Sequence, residues 1–547
     1  MALQLGSPRE SLEEDGALLT PTEPAFLPPH KPTKKPWVLL VVLIFIIVAV
    51  VDVGAYLAEP PLTRLFEENL CLKYYREQDP SVIDGDGSIP EQLCKVDVVQ
   101  QRLATIFGWQ DMFSAIPGIL LAVPYGTWAD KVGRKWIVTA SLVGLDLAFV
   151  WVMIISKTAL HESCIYANVW VAYFNSLPLQ LTWFSSAFTI IGGGPIVAMA
   201  IGVTMISDIV PPEKRTTVFL YLTACVLVAE MLAPIMAARL MESGNWLPLL
   251  LSLAIQLMGV VVALFIPETL HLRDLPEPKD SGDQVFELQP TPTTSHFSLR
   301  AQLRNFQDAV HFLRSDWTLS LVVLTFLANR LGRQCISLLV RYASKRYNWE
   351  IKKAAYLLSF RAATNLVAVT ILIPLANFFL LKKLRFPAHW ADLWIARGSI
   401  AFTTIAFFVM GIAAHPSLLI IGLLIYNMGT GYTAAMRSVS IHVVGGQSSP
   451  DIGKLMSTIA IAESIGAMIA GPLLSELFQV GIGLGGAWLG LPFLTSVVVF
   501  AFMTVVTNYI DVGDKEPSYV PVHDEDEEEI RTSALDHEEL ARHRDLP

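Results

Sequence analysis

Eight ionisable residues interrupt long apolar runs of this sequence, where a charge is expensive. The acids are Asp52, Asp111, Asp146, Glu230 and Glu463, and the bases are Arg330, Arg333 and Arg361. A charged side chain at the centre of a bilayer costs about 2.5 kcal/mol or more, so each one needs a partner, water or a function. These residues are therefore the first candidates for chemistry.

Glu230 and Glu463 are the acids for which we expect proton coupling. Loss of water favours the neutral form of a carboxylate, so a group within the membrane can take up a proton on one side and release it on the other. A permanent ion pair with a buried arginine is the alternative. That alternative remains open for Glu230, which shares a helix face with small residues, and it is favoured for Glu463. Asp52, Asp111 and Asp146 are expected to be structural or to lie near the rim.

Arg330, Arg333 and Arg361 are predicted to bind an anionic substrate, because a guanidinium group holds a carboxylate or phosphate in a two-pronged fork. Pairing with the acids is the alternative, and we expect at least one arginine in each role. Asn427 and Tyr432 lie in a run of aromatic residues and glycines. They are candidates for the lining of a solute pocket, with a simple helix break as the alternative.

The elements that position these residues are predicted from composition. Of the 547 residues, 53% are hydrophobic and 16% are charged, and the mean hydropathy is +0.50. A spanning helix needs about 20 largely apolar residues. Runs of that kind lie near 37–58, 104–126, 136–156, 183–209, 217–240, 246–267, 319–341, 354–381, 398–414, 417–441, 454–478 and 488–510. The sequence therefore predicts an all-α membrane protein of about twelve transmembrane helices.

The twelve runs fall into two groups of six around a hydrophilic stretch, the expected shape of a two-half carrier. The predicted units are an N-terminal tail (1–36), a six-helix half (37–267), a linker (268–318), a second six-helix half (319–510) and an acidic tail (511–547). The net charge of −10 comes largely from the tails and one outer loop, so nucleic acid is not an expected partner.

Lysine and arginine in short loops predict the orientation. Basic residues before the first helix and after the second, fourth and eighth place both tails and the linker in the cytoplasm. One segment disagrees with this rule, since Arg341, Lys345, Arg346, Lys352 and Lys353 fall outside. We expect the plasma membrane. The vacuolar membrane is the alternative, because Leu18 and Leu19 follow acidic residues as in a dileucine sorting signal.

The five cysteines form no metal pattern, so neither a metal nor another cofactor is expected. Cys71 and Cys94 fall in the first outer loop, where oxidation is possible, although spacing alone does not fix their pairing. The sequence contains no nucleophile elbow, no H-E-x-x-H pair and no phosphate-binding loop. We therefore expect neither an enzyme nor an ATP-driven pump.

The loop after the second helix reads Gly126-Thr-Trp-Ala-Asp130-Lys-Val-Gly133-Arg134-Lys135. It resembles the G-x-x-x-D-R-x-G-R-K signature of the major facilitator superfamily, with Lys131 in place of the usual arginine. We expect Gly126 to allow close helix approach and Gly133 a sharp turn. In the family an acid at the cytoplasmic end of helix four pairs with the arginine of the motif, and Asp208 occupies that position. The resemblance implies a conformational latch made of Gly126, Asp130, Gly133, Arg134, Lys135 and Asp208, which holds the outward-open state.

The stretch from Glu67 to Tyr125 resembles the group that contains the proton-coupled folate transporter and its fungal relatives, which often accompany secondary-metabolite pathways. That resemblance implies a monomeric secondary transporter of a small organic solute, coupled to protons, with export of a fungal metabolite slightly favoured. Import of an organic anion or nutrient and a sensor that does not transport are the alternatives. The helix-four glycines lack the preceding arginine of drug–proton antiporters, and helix five has alanines around Pro234. Both departures weaken an inference of drug efflux by antiport.

Overall fold

The computed structural model describes most of the chain between the two tails. The described residues are 37–84, 88–160, 179–210, 212–269, 317–444 and 452–510. Both predicted tails, nearly all of the predicted linker and Cys164 lie outside these residues. Within them the chain is helical with no strand, and the prediction of an all-α membrane fold is confirmed.

Twelve long helical units follow one another in the described residues. The first six are α1 (Trp37–Gln78), α2 (Asp97–Val132), α3 (Arg134–Leu160), α4 (Gly194–Ile209), α5 (Pro212–Leu240) and α6 (Trp246–Phe265). The second six are α7 (Trp317–Ser337 and Leu339–Tyr347), α8 (Ile351–Val367 and its continuation through Ala368–Leu372, Ile373–Phe378 and Phe379–Lys383), α9 (Ala388–Gly411), α10 (Pro416–Met428 and Tyr432–Val443), α11 (Ile452–Leu484) and α12 (Leu491–Tyr509).

Nine of the described helices are long and apolar enough to cross a membrane, and a tenth is α2, which bends by 50° between Ala122 and Pro124. The other two have evident reasons for falling short. α4 has only 16 residues, and α7 carries Arg330 and Arg333 among its apolar residues. Both nevertheless occupy the places of spanning helices in a twelve-helix carrier.

α4 is shorter than its apolar run because three glycines interrupt it. Gly192, Gly193 and Gly194 have φ values of +81°, +85° and +70°, which side chains rarely adopt. A Cβ atom on Gly192 would lie 2.2 Å from the backbone nitrogen of Ser141 in α3. The Ser141 hydroxyl donates to the Gly192 carbonyl at 2.5 Å. The glycines therefore let α4 begin in direct contact with the backbone of α3.

Each half has its own apolar core. In the second half, Phe326, Phe407, Phe493 and Phe500 are almost fully buried around Tyr342. In the first half, one cluster fills the space between α1, α3 and α4, and another lies at the opposite end of the bundle around Phe66 and the disulfide described below. Following the predicted orientation, we call the end that carries the disulfide the outer end and the end that carries the motif the cytoplasmic end.

The halves meet at the outer end and at mid-depth. α2 packs against α11, where the Ser475 hydroxyl donates to the Ala104 carbonyl at 2.5 Å, and α5 packs against α8. At the cytoplasmic end, α4 packs on α1, α2 and α3 of its own half, while Tyr432–Val443 packs on α7, α9 and α11 of the other. Contact between the halves at mid-depth and toward the outer end is the arrangement expected of an inward-open carrier.

Candidate functional site

The motif residues form a charge cluster at the cytoplasmic ends of α2, α3 and α4. The Arg134 guanidinium lies 3.3 Å from Asp130, donates to the Thr204 carbonyl at 3.1 Å and is in direct ion-pair contact with Asp208. Arg134 and Asp208 have side chains only 3% and 7% exposed, whereas Asp130 is 58% exposed. The structure thus brings the three predicted charges together, with one of them open to solvent.

A residue that the sequence did not single out completes this cluster. Glu268, just after α6, accepts hydrogen bonds from the backbone N–H groups of Arg134 (2.9 Å) and Lys135 (3.2 Å). It therefore caps the N-terminus of α3, where a carboxylate is favoured by the free N–H groups and the helix dipole. The available signal was an acid directly after an apolar helix, on the side where a neighbouring helix begins.

Gly133 and Gly126 have different environments. Gly133 has a φ of +116°, and a Cβ atom there would lie 2.4 Å from Glu268, so the capped turn requires glycine. A Cβ atom on Gly126 would meet nothing within 4 Å. The expectation that Gly126 allows close helix approach therefore has no counterpart in this structure.

The cluster lies wholly within the first half of the molecule. Its members come from α2, α3, α4 and the residues after α6, and Lys135 lies 5.3 Å from the ring of Trp136 rather than across the molecule. In this inward-open arrangement, Arg134 and Asp208 thus tie helices of one half together. A link between the halves in another state, as the latch requires, stays a prediction.

Glu230 and Arg361 form an ion pair that joins the two halves. Glu230 on α5 is in direct contact with Arg361 on α8, and their side chains are 7% and 18% exposed. The Asn427 amide donates to the Arg361 carbonyl at 3.2 Å and also bonds Thr364. Asn427 therefore supports the helix turn that carries Arg361, and it is itself 2% exposed.

Glu463 lies between two arginines of its own half. Its Oε1 is 3.2 Å from Arg437 on α10 and 3.7 Å from Arg333 on α7. Arg330 lies one turn before Arg333 and packs against α11. A Cβ atom added to Gly466 of α11 would lie 3.1 Å from the Cβ of Arg330. The contact of Arg437 with Glu463 is a part of the site that the sequence did not predict.

The remaining candidates occupy different places. Asp111 accepts a hydrogen bond from Gln334 on α7 at 2.5 Å, which is another contact between the halves. Asp146 is buried within the first half. Tyr432 is 3% exposed in the core of the second half, with its hydroxyl 3.4 Å from that of Thr507 on α12. Tyr432 therefore packs against a neighbouring helix instead of lining a cavity.

The outer end holds a second charged cluster next to a disulfide. Cys71 and Cys94 are joined, and both are fully buried. Beside them the fully buried Glu67 accepts from Lys95 at 2.7 Å, from Gln100 at 2.6 Å and from Arg64 at 3.0 Å. A buried carboxylate with three donors is well compensated for its loss of water. This cluster fixes the segment that leads from α1 into α2.

Two acids of that segment bond the other half. Glu91 accepts from the backbone N–H of Ile351 at 2.6 Å, and Lys345 bonds both Asp97 (2.6 Å) and the Lys95 carbonyl. Gln92 donates to Glu350 at 3.3 Å, and a hydrogen bond from Lys352 lowers the pKa of Glu350. Of the basic residues that disagreed with the predicted orientation, Lys345 thus bonds the other half, and Lys352 pairs with Glu350.

Comparisons with known proteins agree with the motif. The profile of the Major Facilitator Superfamily matches residues 99–471. The MFS efflux pump atnC of Emericella nidulans is 31% identical over 94% of this chain and 95% of its own, and the efflux pump ustT of Aspergillus flavus is 28% identical over 80% and 81%. The nucleoside transporter NupG has the same fold, with a TM-score of 0.55 at 11% identity over 86% of this chain and 99% of its own.

The predicted relationship to the folate-transporter group is confirmed at a distance. The proton-coupled folate transporter of Bos taurus is 21% identical over 78% of this chain and 83% of its own.

Proposed function

The chain belongs to the Major Facilitator Superfamily and is a multi-pass membrane transporter of small solutes, and we propose that it exports an organic metabolite from the cytoplasm in exchange for protons. Two relatives that match most of its length are named efflux pumps, which favours export over import. Release to the medium requires the plasma membrane, which we propose as its location. We further propose that it acts as a monomer, with no catalytic activity and no cofactor.

The observation that carries this proposal is the Glu230–Arg361 ion pair. It lies mostly buried at the crossing of α5 and α8, one helix from each half. A charge in such a place must be paired or neutralised, so protonation of Glu230 would release Arg361 and remove a strong contact between the halves. One proton can thereby change both the charge of the site and the stability of the outer closure.

The transport cycle follows from this coupling. With Glu230 ionised and paired, the halves stay joined at the outer end, and a solute can enter the central cavity from the cytoplasm. Closure of the cytoplasmic end separates α5 from α8 at the outer end, where Glu230 is exposed to external protons. The solute leaves, and protonation of Glu230 then lets the outer end close again, because an ionised Glu230 separated from Arg361 is costly to bury during closure. Release of that proton to the cytoplasm restores the ion pair, so each cycle exchanges protons for solute.

Deletion of the gene tests the direction of transport. The metabolite contents of cells and medium would be compared by mass spectrometry between the deletion strain and the same strain complemented with the native protein. Export predicts at least one metabolite whose ratio of cellular to external amount rises on deletion and returns on complementation. A solute of the medium that falls inside the deletion strain would identify an importer. Unchanged ratios throughout, with the transporter expressed in the complemented strain, would contradict transport.

A further inference from the structure

We propose that the exported solute carries an anionic group, which binds between Arg333 and Arg437 in place of Glu463. This inference rests on the proposed function and specifies its substrate class: a carboxylate, phosphate or sulfate attached to an organic body. The site lies entirely in the second half of the molecule, on α7, α10 and α11.

The geometry of the three residues is that of an occupied anion site. Oε1 of Glu463 lies 3.2 Å from Nη2 of Arg437 and 3.7 Å from Nη2 of Arg333, so one carboxylate oxygen stands between two guanidinium groups. Only Nη2 of each guanidinium group contacts this carboxylate, so neither arginine holds it in a two-pronged fashion and both have further N–H donors to offer an anion. The Glu463 carboxylate thus marks where the anionic group of a solute would bind.

The two arginines are about half exposed. Their side chains are 47% and 48% exposed, although Arg333 lies about 24 Å along α7 from its start, at 1.5 Å per residue. An exposed guanidinium at that depth requires water, since contact with lipid would cost several kcal/mol. Arg333 is next to Gln334, whose bond to Asp111 closes the space between the halves. The anion site therefore lies on the cytoplasmic side of that closure, where a solute enters.

The charges singled out within the apolar helices are divided between the two halves. Those of the first half are acids, Asp52, Asp111, Asp146 and Glu230. Those of the second half are Arg330, Arg333, Arg361 and one acid, Glu463, which Arg437 also contacts. Arg361 is engaged by Glu230, which leaves three arginines around one carboxylate. This local excess of positive charge favours an anion in the cavity.

A buried aromatic neighbour positions Arg437. The guanidinium carbon of Arg437 lies 6.0 Å from the centre of the Phe326 ring, a contact that holds the guanidinium group in place. A held guanidinium loses less freedom when an anion binds, which strengthens recognition. The site is thus suited to an anionic group on an organic solute. In binding, the anion displaces Glu463 from at least one arginine, and no covalent bond changes.

Thermal unfolding of the purified full-length protein in detergent tests the site with benzoate and benzamide, which differ by the charge. Benzoate should raise the unfolding temperature in a saturable manner, and benzamide should not. Arg333→Gln and Arg437→Gln should each weaken the benzoate response about tenfold or more. Arg239→Gln makes the same change of charge on a 72% exposed residue at the outer end, and it should respond as the native protein does.

Glu463→Gln should strengthen the benzoate response, because it removes the competing carboxylate. Both arginine variants should unfold near the native temperature without ligand, since these side chains are half exposed. Equal responses to benzoate and benzamide, no response to benzoate, or a native response in both arginine variants would overturn the proposal.

The metabolites retained on gene deletion separate this inference from the function on which it rests. Retained metabolites that are anionic at neutral pH support both. Retained metabolites that are only neutral or cationic contradict the anion site and leave export intact. If no metabolite is retained, export is contradicted, and the benzoate comparison still decides whether the site binds anions.

Discussion

At the scale of single residues, contacts between helices decide what each charged side chain can do. Glu230 and Arg361 were singled out for different roles, a proton carrier and an anion clamp, and the structure places them in contact. Their partnership depends on which helices are neighbours, and the spacing along one helix carries no such information. Asp208 was placed correctly beside Arg134 because a family motif supplied the missing neighbour, whereas nothing local indicated Glu268.

Replacement of Glu230 by glutamine should abolish the response of transport to a pH gradient. The amide cannot take up a proton, but exchange of solute for solute, which needs no net proton movement, should continue. Both rates would be measured in proteoliposomes with a metabolite retained on gene deletion. Asp146→Asn is the matched control, because it neutralises another buried acid of the first half, outside the proposed substrate site, and should keep the pH dependence. A Glu230→Gln variant that still accumulates solute in response to the gradient would refute proton coupling at this residue.

Arg134 and Asp130 should differ in what their replacement damages. Arg134→Ala leaves the buried Asp208 without its guanidinium, at a cost of about 3–5 kcal/mol, and should lower the unfolding temperature. Asp130 is 58% exposed, so Asp130→Asn should leave the unfolding temperature nearly unchanged. Because Asp130 belongs to the predicted latch, Asp130→Asn should still impair transport. It should shift the ratio of inward-open to outward-open protein about tenfold.

Labelling of cysteines introduced at the cytoplasmic face measures that shift, and the reactivity should rise in Asp130→Asn. Native transport and native labelling in this variant would show that the motif is only a structural anchor.

At the scale of helices, apolar runs predicted the elements well and their outer ends poorly. α1 continues to Gln78, 20 residues past the predicted end at 58, although Arg64 and Glu67 lie in the extension. Hydropathy predicts the end of the helix before these charges. The helix continues because Glu67 and Arg64 are satisfied by each other and by residues of the next segment, such as Lys95. The extension is thus stabilised by long-range pairs that the sequence pattern does not contain.

The outer interface should act as a gate that depends on Lys345. Its bonds to Asp97 and to the Lys95 carbonyl join the halves, so Lys345→Gln should favour the outward-open state, by about fivefold at most for an exposed pair. Lys352→Gln is the control, since Lys352 pairs with Glu350 of its own half. A cysteine introduced at Ser475, which is buried where α2 meets α11, would be labelled from outside in each variant. Labelling should be faster in Lys345→Gln than in Lys352→Gln. Equal labelling in both variants would contradict the gate.

The disulfide between Cys71 and Cys94 should be present in the protein from cells. When the protein is denatured without a reductant, three of its five cysteines should react with a maleimide. All five should react after reduction. Denaturation removes protection by burial, so Cys335 serves as an internal control. Full labelling without a reductant would exclude the bond. In the chain-entropy account its loss should cost about 3 kcal/mol of stability.

At the scale of the whole molecule, the two halves have separate roles in the proposed mechanism. The first half provides the acid that we propose carries the proton, and the second half provides the arginines that we propose bind the solute. The six-plus-six pattern and the motif predicted the halves and the family. They did not predict that contact between the halves is at the outer end, because a sequence that supports alternating access must suit more than one arrangement.

The direction in which protons move during transport tests the central claim most directly. Purified protein would be reconstituted in liposomes that contain a pH-sensitive dye, and a metabolite retained on gene deletion would be added outside. Exchange of protons for solute predicts that solute enters while protons leave, so the interior becomes more alkaline, and that Glu230→Gln abolishes this change. Acidification of the interior on addition of the solute would show that both move together, which would contradict export driven by proton exchange.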